Sequence, residues 1–146
     1  MDSYQISRIP GDGELSDAYS VRRAVFIDEQ DVSEAEEIDG KDDEAIHFVA
    51  YDSETGDAVG TARLRIPEAD IAKPERVAIR QEYRNEGIGE LLMERIESEA
   101  RSEGCSRAVL HAQTRVIPFY EQLGYEITSE EFEEAGIPHV EMEKSL

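Results

Sequence analysis

The sequence has 146 residues, 39% hydrophobic and 34% charged, a balance that supports one folded domain and excludes a disordered chain. Asp and Glu number 35 against 15 Lys and Arg, so the formal net charge is -20 and no basic stripe exists to neutralise nucleic-acid phosphates. No apolar run reaches the length of a membrane span, and Met1-Asp2-Ser3-Tyr4-Gln5 lacks the basic and apolar regions of a signal peptide; a cytoplasmic protein without membrane contact is expected.

The acids are spread over the whole chain instead of forming a tail, and lysine is confined to Lys41, Lys73 and Lys144. Self-repulsion on this scale suits a halophilic organism with molar internal salt, where screening falls to about 3 Å. One cysteine, Cys105, rules out an internal disulfide and a cysteine-based metal cluster, and three scattered histidines define no metal site.

In chain order, Tyr4 to Ile9 alternates as a strand does, and Gly11-Asp12-Gly13 breaks it. From Leu15, residues Ala18, Tyr19, Val21, Val25 and Phe26 follow helical spacing. Asp31 to Glu44 is acidic and irregular, with a turn at Asp39-Gly40. Ile46 to Tyr51 and Ala58 to Ile66 form a strand pair across Asp52 to Asp57, and Ile71 to Ile79 is a further strand interrupted by Pro74. Ile88, Leu91, Leu92, Ile96 and Ala100 make the apolar stripe of a helix that Gly104 ends. Ala108 to Ala112 is a short strand, and a short helix through Val116, Ile117, Phe119, Tyr120 and Leu123 stops at Gly124. Tyr125 to Thr128 and Pro138 to Met142 are the last strands. The order predicts a mixed α/β sheet with helices on both faces.

The segment with chemical content is Arg84-Asn85-Glu86-Gly87-Ile88-Gly89, between a strand and a helix. A helix start offers unpaired amides and partial positive charge, which suit a diphosphate. Gly87 and Gly89 let the backbone approach closely, and Arg84 adds a charge. A P-loop would need lysine after the last glycine, where Glu90 stands. A dinucleotide fingerprint would need a small residue where Leu92 stands. A purely structural glycine turn fits the hexapeptide equally well.

This arginine-glycine pattern resembles the acetyl-CoA-binding motif of the GNAT superfamily of N-acetyltransferases. Val77-Ala78-Ile79 resembles the strand that pairs with the pantetheine arm, and Phe119-Tyr120-Glu121-Gln122-Leu123-Gly124-Tyr125 resembles the family's later helix-strand motif. A narrower similarity, to the small ElaA-like branch, rests on Val21 to Phe26 with Glu29-Gln30, Asp39-Gly40, His47, His111-Ala112-Gln113 and Gly136-Ile137-Pro138-His139. The resemblance implies a single domain over residues 1–146 with a mostly antiparallel sheet. Within it, Glu75 to Ile79 and Ala108 to Ala112 would be a splayed parallel strand pair.

The resemblance further implies transfer of an acetyl group from acetyl-CoA to a primary amine of a small molecule or peptide, without a metal. Arg84, Asn85, Glu86, Gly87, Ile88 and Gly89 would hold the cofactor together with Val77, Ala78 and Ile79. An N–H near Val77 or Ala78 would polarise the thioester, and Tyr120 would protonate the leaving thiolate. Candidates for the base are Glu75, on the cofactor strand, and His111, at the end of its neighbour. Gln113 is a further candidate contact to the cofactor arm. Arg22, on the apolar side of the first helix, either pairs with Glu29 or Asp39 or holds an anionic part of the acceptor. Glu29 and His139 are further acceptor-binding candidates. Edge strands near the C-terminus are available for a homodimer. The alternative is a non-catalytic acyl-CoA-binding or sensing module.

Overall fold

The computed structural model describes residues 3–146; Met1 and Asp2, which open the segment read above for a signal peptide, lie outside the described residues. Strands β1 (Tyr4–Pro10), β2 (Ile46–Asp52), β3 (Ala58–Glu68), β4 (Ile71–Ile79), β5 (Arg107–Gln113), β6 (Glu126–Ile127), β7 (Phe132–Glu134) and β8 (Ile137–Ser145) form one sheet. Its order is β1-β2-β3-β4-β5-β8-β6, with β7 also pairing with β8. Every pairing is antiparallel except β4 with β5. The sheet is bounded by β1 on one side and by the short strands β6 and β7 on the other.

The parallel pairing of β4 and β5 contains only Ile71–Arg107 and Ala72–Ala108. Beyond Ala72, β4 stays bonded to β3 on one edge and parts from β5 on the other. The register on the β3 side slips by one residue between Glu75 and Ala78, and Arg76 there has φ 55°. This bulge turns the strand just before Val77, as an extra residue in one strand does.

Helices cover both faces. Helix α3 (Ile88–Ser102) buries Ile88, Leu92, Met93, Ile96 and Ala100 against Phe48, Ala62 and Leu64. Large apolar side chains buried in this way contribute roughly 1.5–3 kcal/mol each. Leu91, assigned above to this stripe, is instead exposed, because it sits one position off the face that meets the sheet. Gly104, at φ 86°, closes the helix: the Cys105 N–H donates to Ala100 and the Gly104 N–H to Arg101, a Schellman arrangement. Helix α4 (Ile117–Gln122) lies on the same side, with Phe119 against Gly89.

On the opposite face, α1 (Ser16–Arg22) continues as a π-helical run, Arg23–Glu29. The Gln30 N–H reaches back five residues to Val25, the wide turn that often marks functional positions. Val21, Val25 and Ala78 form a small apolar cluster there. The segment read as irregular contains a four-residue helix, α2 (Glu34–Glu37), and a 3-10 turn at Asp42–Glu44. The Ser33 hydroxyl caps α2 by accepting from the Glu36 N–H.

Candidate active site

The face of β3 beneath α1 carries Thr61, Arg63 and Arg65 where the opposite face carries Ala62 and Leu64. Arg63 is 1% exposed and meets Asp39, Asp42 and Glu75 at 2.8, 2.9 and 3.0 Å. Arg22, also 1% exposed, bonds Glu37 and Asp42, each at 2.7 Å. Arg76 reaches Asp39 and the backbone oxygens of Glu36 and Glu37. With Arg65 on Glu75 at 2.6 Å, four arginines meet the carboxylates of Glu37, Asp39, Asp42 and Glu75, and this network clamps the acidic segment onto the sheet. Burial alone would push Asp39 up, but hydrogen bonds from Arg63 and the Lys41 N–H hold it well below the usual carboxylate range. Asp42 is held low in the same way by Arg22 and Arg63 against its burial.

Arg22 thus pairs with Glu37 and Asp42, not with Glu29 or Asp39, and its guanidinium is spent before any acceptor arrives. Glu29 lies elsewhere: it holds Arg84 in a two-pronged ion pair, and that hydrogen bond lowers its pKa. It therefore belongs to the glycine-loop end of the site and not to the acceptor end. Arg84 also donates to the Ile79 carbonyl, so strand, loop and π-helical run meet at one guanidinium.

The glycine loop turns through Asn85 and Gly87, at φ 66° and 82°, directly into α3. A Cβ on Gly87 would meet nothing within 4 Å, so open space lies above it, whereas a Cβ on Gly89 would come 3.0 Å from the Phe119 ring. Gly87 has no packing neighbour at its Cβ position, whereas Gly89 is small because α4 packs on it. Asn85 and Glu86 are exposed, and Ile88 is buried in the core, where its side chain serves packing.

Where β4 and β5 part, a cleft opens. One chamber of ≈ 120 Å³ is lined by residues including Val77, His111, Gln113, Tyr120, Glu134 and His139; the adjoining one of ≈ 330 Å³ extends over Glu75 and Arg76 to Lys41 and Lys73. Tyr120, Glu75, His111, Val77, Gln113 and His139, chosen from separate stretches of sequence, share this cleft. Ala78 turns its side chain away into the α1-side cluster, and Ile79 packs against the α3-side core.

Tyr120 is 8% exposed, with its ring edge-on to Phe119 and Tyr125. Burial pushes its phenol up, so it is protonated at neutral pH. Glu75 is different from the expected free base. One of its oxygens lies 2.6 Å from Arg65 Nε and 3.0 Å from Arg63, and the other lies 3.1 Å from Arg65. Burial raises its pKa, but these bonds and charges outweigh it and the net shift is downward.

His111 Nδ1 lies 2.9 Å from Glu134 Oε1. A carboxylate only accepts, so Nδ1 carries a proton, while Nε2 lies 4.0 Å from Glu141 Oε2. The second Glu134 oxygen lies 3.7 Å from His139 Nε2, whose Nδ1 donates to the Ile137 carbonyl at 2.7 Å. The hydrogen bond from His111 lowers the pKa of Glu134. Phe132 packs edge-on to His111 and stacked on His139. Glu134 and Phe132 escaped sequence reading because they stand on a three-residue strand within an acidic run; the flanking Gly136 turn was the only available signal. Gln113 donates to Gln30 at 2.8 Å, which ties β5 to the end of the π-helical run.

Among the described residues no cluster of three or more His, Cys, Asp or Glu is arranged to hold a metal. Cys105 is buried and burial raises its thiol pKa, in keeping with a packing role.

A parallel strand pair that parts beside a glycine-led helix defines the acyl-CoA N-acyltransferase class of fold. The profile of the acetyltransferase (GNAT) domain matches residues 14–146, and the chain belongs to that family. The uncharacterized N-acetyltransferase YjcF of Bacillus subtilis (strain 168) is 42% identical over 132 residues, covering 90% of this chain and 92% of the relative. A crystal structure of a Lactobacillus plantarum protein assigned as an N-acetyltransferase superposes with a TM-score of 0.88 at 32% identity, covering 99% of both chains. Escherichia coli ElaA shares the fold, with a TM-score of 0.83 at 24% identity over 97% of this chain and 99% of its own.

Proposed function

We propose that the chain transfers an acetyl group from acetyl-CoA directly to a primary amine of a small molecule or peptide. The observation that carries this reading is the cleft between the parted strands, where a buried, protonated Tyr120 and an oriented His111 line the same chamber.

Acetyl-CoA supplies the activated acyl carbon and a thiolate leaving group. The loop from Arg84 to Gly89 holds its diphosphate on the first amides of α3, with Gly87 leaving room above it. Edge N–H groups of β4 near Val77, no longer bonded to β5, polarise the thioester carbonyl. His111 Nε2 takes the proton from the amine as nitrogen bonds to the acyl carbon, with Glu134 holding the ring. Tyr120 gives its proton to sulfur as the C–S bond breaks, and transfer between the two residues through solvent resets them. We assign the base to His111 over Glu75, whose carboxylate is engaged by two guanidinium groups. His139 faces the acceptor, and Gln113 positions the cofactor arm through its bond to Gln30.

Thermal unfolding with acetyl-CoA and with ATP tests the cofactor: at about 100 times its dissociation constant, a ligand stabilises by roughly 2.7 kcal/mol. A shift with acetyl-CoA alone is expected, followed by thioester loss that depends on an added amine. Tyr120→Phe lowers that rate about 100-fold while the acetyl-CoA shift persists. Binding without amine-dependent thioester loss would instead establish the non-catalytic binding module.

The even spread of surface acids also supports a cytoplasm of high salt as the working environment.

A further inference from the structure

The chain has three lysines in 146 residues, and two of them, Lys41 and Lys73, line the larger chamber of the cleft. The third, Lys144, is paired with Glu97 at 2.7 Å. Neither Lys41 nor Lys73 forms an ion pair with a carboxylate among the described residues, although 35 acids are present.

The charges around them are already matched. Arg22, Arg63, Arg65 and Arg76 face Glu37, Asp39, Asp42 and Glu75, and Glu44 adds a further contact to Arg65. Glu134 is taken by His111 and its neighbour His139. Glu36, at the rim, is exposed and accepts from the Ser33 hydroxyl. Lys41 and Lys73 are the basic residues of this hollow that no carboxylate pairs among the described residues, although its lining as a whole has five carboxylates against four Lys and Arg.

Lys73 stands directly opposite Arg65 in the β3–β4 register. Like charges opposed across a strand pair are unfavourable. Glu75 and Glu44 neutralise Arg65, which leaves Lys73 without a counter-ion. An anion held by Lys73 and Lys41 would relieve this opposition by giving both ammonium groups the counter-ion that the neighbouring carboxylates, engaged by arginine and histidine, do not supply. Lys73 precedes Val77 by four residues on β4, about 13 Å along a strand, less the reach of the lysine side chain. An acceptor with its amine at His111 and an anion several atoms away spans that interval.

We propose that Lys41 and Lys73 form an anion subsite, and that the acceptor is an amine bearing a carboxylate or phosphate remote from its reacting nitrogen. This rests on the transferase reading above and specifies its substrate class. The carboxylate and phosphate share the chemistry of a small oxyanion, and titration separates them.

Inorganic phosphate and acetate are titrated calorimetrically into the protein saturated with acetyl-CoA, which keeps phosphate off the glycine loop. The same titrations are run on a Lys41→Met/Lys73→Met variant. Both side chains reach solvent, so the variant folds with a thermal midpoint near that of the wild type. At least one oxyanion binds the wild type, and the double variant weakens it tenfold or more. Tighter phosphate points to a phosphorylated acceptor, and tighter acetate to a carboxylated one. Absence of binding by both oxyanions, or equal binding by the variant, overturns the subsite. Thioester loss with a neutral amine that is unaffected by the double substitution, together with no oxyanion binding, overturns it while leaving the transferase reading in place. Failure of acetyl-CoA itself to bind would overturn that earlier reading instead.

Discussion

Glu75 receives hydrogen bonds from Arg63 and Arg65, whereas His111 is hydrogen-bonded through Nδ1 to Glu134 and has only the more distant Glu141, at 4.0 Å, beside Nε2. Removing a charge from the arginine network therefore costs stability, while removing the imidazole costs turnover. Asp42 makes the sharper test, since it is shared by Arg22 and Arg63, both 1% exposed. Asp42→Asn leaves two buried guanidinium groups short of charge and lowers stability by about 3 kcal/mol, because breaking a buried pair strands its partner. For a chain of this length that is a fall of roughly 6–12 °C in the unfolding midpoint. His111→Gln, at a partly exposed position, changes stability by less than about 0.5 kcal/mol and lowers kcat about 100-fold. Calorimetric midpoints set beside initial rates check both, and an Asp42→Asn midpoint within 2 °C of wild type would refute the network's role.

The segment from Asp31 to Glu44 shows how a docked element titrates. Asp39, Asp42 and Glu75 all have depressed pKa values when folded, against ordinary values of 3.8, 3.8 and 4.5. A depressed carboxylate contributes stability that is fully present above its unfolded pKa and is lost as pH falls through its folded one. The unfolding midpoint is thus level from about pH 7 to 5, then falls below about pH 4. Asp42→Asn flattens that fall, and an equal slope in both proteins would count against these carboxylates as its source. The sequence showed this segment as acidic and irregular because its order comes from Arg63, Arg65 and Arg76, which belong to strands β3 and β4. No local periodicity encodes such a contact; the trace left was a pair of arginines alternating with apolar residues at Ala62-Arg63-Leu64-Arg65-Ile66. The strands and α3 were legible because their periods of two and about 3.6 are written locally. Gly87 was legible as a turn into a helix, but the Phe119 ring that explains Gly89 lies thirty residues along the chain. Glu134 was hidden for the same reason, its acidic run giving no sign of which carboxylate faces a histidine.

Taken as a whole, the molecule sets a clamp of ion pairs against a surplus of negative surface. Arg22, Arg63 and Asp42 are buried, so salt screens their attraction weakly, while repulsion among exposed acids is screened strongly. At about 0.1 M salt the screening length is about 10 Å, long enough for acidic neighbours across the surface to repel one another; at 1 M it is about 3 Å. Exposed pairs such as Arg23–Glu34 weaken as well, but each is worth only about 0–1 kcal/mol. With a net charge of -20, relief of repulsion outweighs those losses. The unfolding midpoint therefore rises as KCl increases from about 0.1 M to 2 M, with most of the gain below about 1 M, where the screening length changes most. A rise that continued linearly to the highest salt would point to preferential exclusion of salt from the surface instead of screening. A flat or falling midpoint would show that the acidic surface carries no net repulsive cost, and the high-salt setting would lose its physical basis.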